Sequence, residues 1–494
     1  MIDAARTVET MEHYYKTVDF CADNGLNTIL FRVTDDEGSA LQLQSHPELL
    51  HQKGAFTAAE LKKFVAYASK KGVEIIPEVE PFGHTRYITS IDKYKFLTDI
   101  GDPTITWSNG ICPVSDTTLN LMQDLFIEIA EIFPSKYFHI GCDETNWGSN
   151  PMTIEALKEK SKNQIWAEYV NKLNAIAKKM GKTSIIWADV PIREENEILE
   201  MLDKDIVLMD WNYWVTDEDK IKTNADMMMN YGFRIIGAPA INWMMWGPRI
   251  GEFQLKNMET ISNVYNNLDN EKNLGVLFTH WEPYRYTQNA QWDTYTLAAE
   301  MVNNPNGYDM MATLKKFTEA HYGVVWNEEW DKVYTDLYKN TPKNKLHGLD
   351  VEARRFYPWK NKEDLAYIYA KKEPFENNFI EITNLLKKQR KEVKKNKQDF
   401  DEFLLSVEYI EHIIWRENAL LVIRDDESKM VTTLEEIVET DSAMLARLDA
   451  VWEKGRKGKM KDKHVWEFPK AAAYSAKLTK DNSELKEVLK NLAK

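Results

Sequence analysis

Two acids stand side by side at Asp143 and Glu144, directly after the apolar run Tyr137-Phe138-His139-Ile140-Gly141. The run reads as a short buried strand, so the pair sits where a strand leaves a core. Like charges held this close do not both ionise easily, and a carboxyl that keeps its proton near neutral pH can serve as a general acid. A bare Asp-Glu dipeptide more often just faces water; the full string His139-x-Gly141-x-Asp143-Glu144 is far less common by chance. Other chemistry-bearing residues recur just past apolar runs: Arg6, Asp35, Asp36, His84, Trp187, Trp211, Tyr213, Trp243, Trp281 and Glu282. With His139, all of these but Asp36 are the candidate binding residues. Any one of these tryptophans alone reads as core filling, but their repeated place at strand ends favours a common rim.

The elements that must position these residues alternate. Strands are expected at Ile2 to Arg6, Leu26 to Val33, Val73 to Pro77, Tyr137 to Gly141, Thr183 to Trp187, Ile206 to Trp211, Phe233 to Ala238 and Leu274 to Phe278. Helical spacing separates them, at Val8 to Asp23, Thr57 to Lys71, Asp116 to Phe133, Ile165 to Met180, Glu194 to Leu202, Asp217 to Tyr231, Leu255 to Leu268 and Asp293 to Val302. Thr57 with Glu60 has the form of a capping box. Eight strands alternating with helices over roughly 300 residues predict a (β/α)8 barrel, whose site lies at the carboxyl ends of the strands. Asn303-Asn304-Pro305-Asn306-Gly307 breaks the pattern, and beyond it only helical signals recur. Helices are expected at Met310 to Tyr322, Trp330 to Tyr338, Glu373 to Val393, Asp399 to Asp426, Thr433 to Glu453 and Asn482 to Leu492. Thr341 to Asp364 reads as irregular and Glu453 to Lys463 as a solvated loop. The expected division is a catalytic α/β barrel over 1–305 and an all-helical region over 306–494.

Composition narrows the function classes. The chain has 494 residues, 43% hydrophobic and 29% charged, as in ordinary globular proteins. Its net charge of −15 argues against a nucleic-acid partner. No apolar run approaches the length of a membrane span, so no membrane partner is expected. Three cysteines, Cys21, Cys112 and Cys142, make no disulfide framework and suit a reducing compartment. Met1 to Arg6 has neither a basic nor an apolar leader region, and the expected location is cytoplasmic. Sixteen Trp, 22 Tyr and 19 Phe give many faces that could stack on sugars, a weak pointer because aromatics are more often core. His84, His139 and His280 show no His-x-x-x-His or Cys-x-x-Cys spacing, so neither a metal nor a cofactor is expected.

Four features occur in one order: Arg6, the Asp35-Asp36 pair, Pro77-Glu78…Gly83-His84, and His139-x-Gly141-x-Asp143-Glu144. Together they resemble the family 20 glycoside hydrolases, the β-N-acetylhexosaminidases, over about the first 300 residues. The resemblance implies an exo-acting, retaining enzyme that removes a terminal β-linked N-acetylhexosamine from a carbohydrate. In such enzymes the substrate's own acetamido oxygen attacks the anomeric carbon. Glu144 is then the acid/base, Asp143 orients the acetamido group and Arg6 binds sugar hydroxyls. Asp35 and His84 form a relay behind Glu144, and Trp187, Trp211 and Trp281 line the acetamido pocket. The chain departs from the family in three places: Glu80-Pro81-Phe82-Gly83-His84 replaces an Asp then Pro-Gly-His string, Asn242-Trp243 replaces a Tyr-x-Asp, and Trp281-Glu282-Pro283 replaces a Trp-x-Glu. The tyrosine for the acetamido oxygen must therefore come from elsewhere, Tyr213 or Tyr284. Two other readings stay open: a sugar-binding protein on the same barrel, and a glycosidase of another class pairing Asp35 with Glu144.

Overall fold

The computed structural model describes residues 1–105, 108–193, 197–242, 249–281, 283, 287–341, 376–457 and 472–492. Its centre is a curled parallel sheet of seven strands in chain order: Thr28–Arg32, Glu74–Glu78, Tyr137–His139, Thr183–Trp187, Val207–Trp211, Arg234–Ala238 and Asn273–Val276. Each is followed by a helix that returns the chain, the arrangement of a (β/α)8 barrel.

The first expected strand is shorter than its sequence suggests. Only Ile2 pairs, in parallel with Phe31, and the chain then turns over residues 4–6. Arg6 donates from Nη1 to Asp3 Oδ2 at 3.1 Å and closes that turn, which stops the strand. On the other side the Met1 amine donates to Phe278 O at 2.8 Å, so Met1 and Ile2 bridge the seam between the first and last of the seven strands. The last strand also differs from expectation. It ends at Val276, and Thr279–His280 pairs instead with Ala240–Asn242 after a register shift.

Alternate residues along the strands enter two different cores, as the period of two requires. Leu30, Ile76, Ile185, Val207 and Met209 pack with Trp187 and Tyr213 in one core. Ile29, Phe31, Ile75, Phe138, Ile186 and Leu208 pack in the other, with Phe64, Leu121, Phe126 and Val170 of the outer helices. The buried polar and aromatic side chains near the strand ends follow the same parity. Arg32, Glu78, His139 and Trp187 share the parity of Leu30, Ile76 and Ile185.

The barrel helices follow the expected order: Met11–Asp23, Ala58–Lys70, Asp116–Ala130, Lys162–Lys179, Glu197–Met201, Glu218–Asn230, Glu252–Asn267 and Trp292–Asn303. The Thr57–Glu60 capping box is formed. The first helix starts at Met11 rather than near Val8, because the Thr10 side chain accepts the His13 N–H and fixes the start there. Two small rim sheets were not legible in the sequence: Thr34–Asp35, Gly38–Leu41 and His51–Phe56 form one, Thr98–Asp99 and Gly110–Ile111 the other.

Beyond residue 305 the described elements are helical: Met310–Tyr322, Glu328–Asn340, Phe379–Gln389, Lys397–Asp425, Met430–Gly455 and Ala472–Leu492, with a single 3-10 turn at Glu427–Lys429. Phe379–Gln389 is shorter than the helix expected over Glu373 to Val393. The segment read as irregular lies beyond Thr341 outside the described residues; the loop expected to be solvated departs from that reading where it is described, since Met430–Gly455 is helical and Arg456 is buried. Leu297 and Met301 of the last barrel helix pack in one core with Leu314, Phe317, Trp330, Tyr334 and Phe403 of this helical region. Buried Arg249 pairs with Asp293, its guanidinium 4.7 Å from the Phe403 ring centroid. Among the described residues no helix is long and apolar enough to cross a membrane. Cys21, Cys112 and Cys142 are all buried free thiols.

Candidate active site

The two acids are presented by a strained turn. After His139 the chain adopts left-handed conformations at Gly141 (φ 50°), Cys142 (φ 73°) and Glu144 (φ 45°), and His84 faces them with φ 47°. Three of the four non-glycine residues at positive φ among those described therefore lie at this one place. Each such residue costs about 1–3 kcal/mol and persists only where its surroundings enforce it. Here they do. A Cβ on Gly141 would lie 2.3 Å from the Glu80 carboxylate, and one on Gly83 would lie 2.3 Å from Asp143 O. The Glu144 N–H donates to Asp189 Oδ2 at 3.1 Å and anchors the turn.

His84 stands between two carboxylate pairs. Its Nε2 lies 3.4 Å from Glu144 Oε2 and 3.8 Å from Asp143 Oδ2. Its Nδ1 lies 3.3 Å from Asp36 Oδ2 and 4.0 Å from Asp35 Oδ1. Burial works against charge on the ring, but Asp35, Asp143 and the contacts to Asp36 and Glu144 outweigh it and hold the imidazole pKa well above its ordinary value. The cation neutralises acids that would otherwise repel. Asp36, rather than the expected Asp35, is the nearer relay partner. Glu144 keeps 35% of its side chain exposed and Asp143 only 9%. Asp143 Oδ1 is buried without a hydrogen-bond partner.

Asp35 has a different task. Its Oδ2 lies 3.1 Å from Arg6 Nη2 and accepts from Arg32 Nε at 2.8 Å. Burial disfavours its charge, yet Arg6, Arg32 and His84 together hold its carboxyl below the usual range. Arg32 also pairs with Glu78, and with Glu80 at 2.9 Å. Burial raises the Glu78 carboxyl to about 7, against the pull of Arg32. Both arginines face the Trp281 ring, at 5.3 Å for Arg6 and 5.0 Å for Arg32.

The aromatic wall is layered. Trp281 Nε1 donates to Tyr213 Oη at 2.6 Å, and Thr279 Oγ1 donates to the same oxygen at 3.1 Å. Tyr213 stacks at a tilt on Trp211, with ring centroids 5.2 Å apart. Burial holds the Tyr213 hydroxyl pKa above its ordinary value, and the charges of Asp143 and Glu144 add to the rise. Trp187 has no exposed surface; it stands behind Trp281 at 5.5 Å and donates from Nε1 to Glu78 Oε1 at 2.8 Å.

Most expected site residues thus converge: Arg6, Asp35, His84, Asp143, Glu144, Trp211, Tyr213 and Trp281. His139 does not face a substrate. It is fully buried, packs on Trp187 at 4.6 Å and accepts the Gly141 N–H on Nδ1 at 3.1 Å. Burial, with Arg32, holds its pKa well below the ordinary value, so it is a neutral support for the turn. Trp243, Glu282 and Tyr284 lie outside the described residues. Sequence reasoning missed Arg32, Glu37, Glu78, Glu80 and Asp189 as members of the site. Arg32 had a signal, a charge inside an otherwise apolar strand. Two groups could hold a cation: Asp35 with Asp36 and His84, and His84 with Asp143 and Glu144. Both depend on His84, whose nitrogens lie 3.3 Å from Asp36 and 3.4 Å from Glu144.

A parallel barrel that gathers two acids, a histidine relay and an indole wall at the carboxyl ends of its strands is an architecture of glycoside hydrolases. This chain belongs to glycosyl hydrolase family 20, whose catalytic domain matches residues 1–293. It is 27% identical over 263 residues to the beta-hexosaminidase subunit beta of Felis catus, covering 50% of this chain and 48% of that protein. The chain spans about half the length of that curated relative, and less of most others. Its fold resembles the exo beta-N-acetylglucosaminidase of Vibrio harveyi crystallised with N-acetylglucosamine, with a TM-score of 0.52 and 21% identity over 64% of this chain and 56% of that one. The beta-N-acetylhexosaminidase of Bacteroides fragilis has a TM-score of 0.52 and 19% identity, covering 65% and 68%.

Proposed function

We propose that the protein is an exo-acting β-N-acetylhexosaminidase that works with retention, using the acetamido group of its substrate as nucleophile. The observation that carries this reading is Asp143 Oδ1, a buried carboxylate oxygen without a hydrogen-bond partner beside the half-exposed Glu144. A buried, unpaired acceptor is costly, and a substrate amide N–H is a group that would satisfy it. Accepting that N–H pushes electron density towards the acetamido oxygen, which attacks the anomeric carbon. Glu144 gives its proton to the departing glycosidic oxygen, then takes a proton from the water that opens the oxazolinium ring. The acetamido oxygen attacks the face opposite the leaving group and water then attacks the face that group vacated, so two inversions leave the anomeric configuration unchanged.

The other groups have matching tasks. Cationic His84 holds both acids in place and offsets their charges. Arg6, fixed by Asp3, Asp35 and Glu37, presents a guanidinium at the sugar end of the site. Trp211, Tyr213 and Trp281 form the wall for the acetamido methyl, with Trp187 as its backing. Asp35 is held between two guanidiniums, which argues against its acting as a nucleophile paired with Glu144.

Release of nitrophenol from its β-GlcNAc, β-GalNAc and β-glucose derivatives tests the reading. The acetamido sugars are expected to turn over and the glucoside barely or not at all. Equal turnover of the glucoside would contradict substrate assistance. Tight binding of the acetamido sugars without turnover would favour a sugar-binding protein.

A further inference from the structure

We propose that Arg456, at the end of the helical region, is a positioning residue for the sugar-binding rim; this rests on the reading of the site given above. The segment around it runs antiparallel to the chain just after Arg6. Glu9 bridges Arg456, the Thr10 N–H donates to Gly455 O at 3.2 Å and the Lys457 N–H donates to Val8 O at 3.0 Å. The Arg456 side chain is buried, with its guanidinium 3.9 Å from the Trp452 ring centroid. One edge pairs with Glu9 Oε1 at 3.8 Å, and Nη2 donates to Pro283 O.

Those two partners belong to the two loops that carry the sugar end of the site. Glu9 follows Arg6 by three residues, and Pro283 follows Trp281 by two. The Arg6 guanidinium lies over the Trp281 ring, 5.3 Å from its centroid. A single guanidinium therefore joins the loops behind a pair that has to hold its spacing. The planar fork of arginine meets a carboxylate and a carbonyl together, which an ammonium on a flexible stem does not. The helical region also grips the loop after Trp281, where Glu402 accepts from the Asn289 N–H at 2.9 Å, and it grips the first barrel helix. Lys16, on the first barrel helix, pairs with Asp399 at 2.6 Å, and His321 reaches the same carboxylate at 2.9 Å.

The two kinds of contact can be separated in the full-length protein with R456A, R456K and K16M. N-acetylglucosamine binding is read by calorimetry, thermal midpoint by scanning calorimetry, and KM and kcat on nitrophenyl substrates with good and poor leaving groups. R456A is expected to weaken sugar binding and raise KM by about ten- to a hundredfold, the scale of a small displacement relayed from outside the site. Its sensitivity to the leaving group stays that of the wild type, because Glu144 is untouched. R456K, which keeps charge and bulk, recovers the thermal midpoint but not the affinity. K16M lowers the midpoint and leaves the affinity unchanged. Wild-type affinity in R456A or R456K overturns the proposal, and so does an equal loss of affinity in K16M. A wild-type protein that neither binds nor cleaves the acetamido sugar fails the reading of the site itself, and the positioning role falls with it.

Discussion

At the scale of single residues, the site is organised by one cation among acids. His84 reaches four carboxylates from two nitrogens, and its raised pKa follows from them. In the proposed reaction the two neighbouring acids divide their work: Glu144, the more exposed, handles the proton, and Asp143, the more buried, handles the amide. Glu144→Gln is therefore expected to lower kcat by about 10²–10⁴-fold on natural disaccharides, the usual worth of a general acid. Activated aryl glycosides, whose leaving groups need no proton, should lose much less in their first step. An unchanged rate on a disaccharide would remove Glu144 from the role of acid.

At the scale of elements, the turn after Tyr137–His139 holds the acids only because two glycines and one buried glutamate fit beneath it. Gly141→Ala puts a Cβ at φ 50° against the Glu80 carboxylate. The expected loss is about 1–3 kcal/mol of stability, read by denaturant titration, with activity falling further because Asp143 is displaced. A variant as stable and active as the parent would show that the turn tolerates the side chain. Glu78, under the same turn, makes stability depend on pH. Burial holds its proton up to about pH 7 when folded, whereas its ordinary value is 4.5. Between those values the unfolded chain binds fewer protons, so this group's contribution to stability falls as pH rises. Glu78→Gln should flatten the thermal midpoint against pH over that window; a slope unchanged from the wild type would contradict the assignment. Much of this was legible in the sequence. Apolar runs ending in Arg6, Asp35, His84, Asp143 and Trp281 showed which loops meet, because strand ends in a barrel share one pole. What was not legible depends on depth and distance. His139 reads as a site residue in the motif but points to the buried layer, and Glu80 gains its role only by touching Gly141, 61 residues away in the chain. The first strand shrinks to Ile2 through a side-chain contact between Asp3 and Arg6, which no periodicity announces.

At the scale of the whole molecule, the helical region shares a core with the last barrel helix and meets the rim through Arg456. A chain cut after Asn304 would expose the apolar faces that Leu314, Phe317, Trp330 and Phe403 now cover. It is expected to aggregate or unfold cooperatively at a lower temperature than the full chain, by light scattering and calorimetry. A soluble truncated barrel with the parent's thermal midpoint would contradict the shared core. The central claim, that the substrate supplies its own nucleophile to a site built to hold it, is tested most directly by varying that nucleophile. Nitrophenyl β-GlcNAc substrates with mono-, di- and trifluoroacetamido groups keep nearly the same shape while the carbonyl oxygen grows less basic. The account predicts a progressive fall in kcat across the series for the wild type, and a compressed fall for Asp143→Asn, in which the amide is no longer polarised. A kcat indifferent to fluorination, with a glycosyl group trapped on a protein carboxylate, would contradict it.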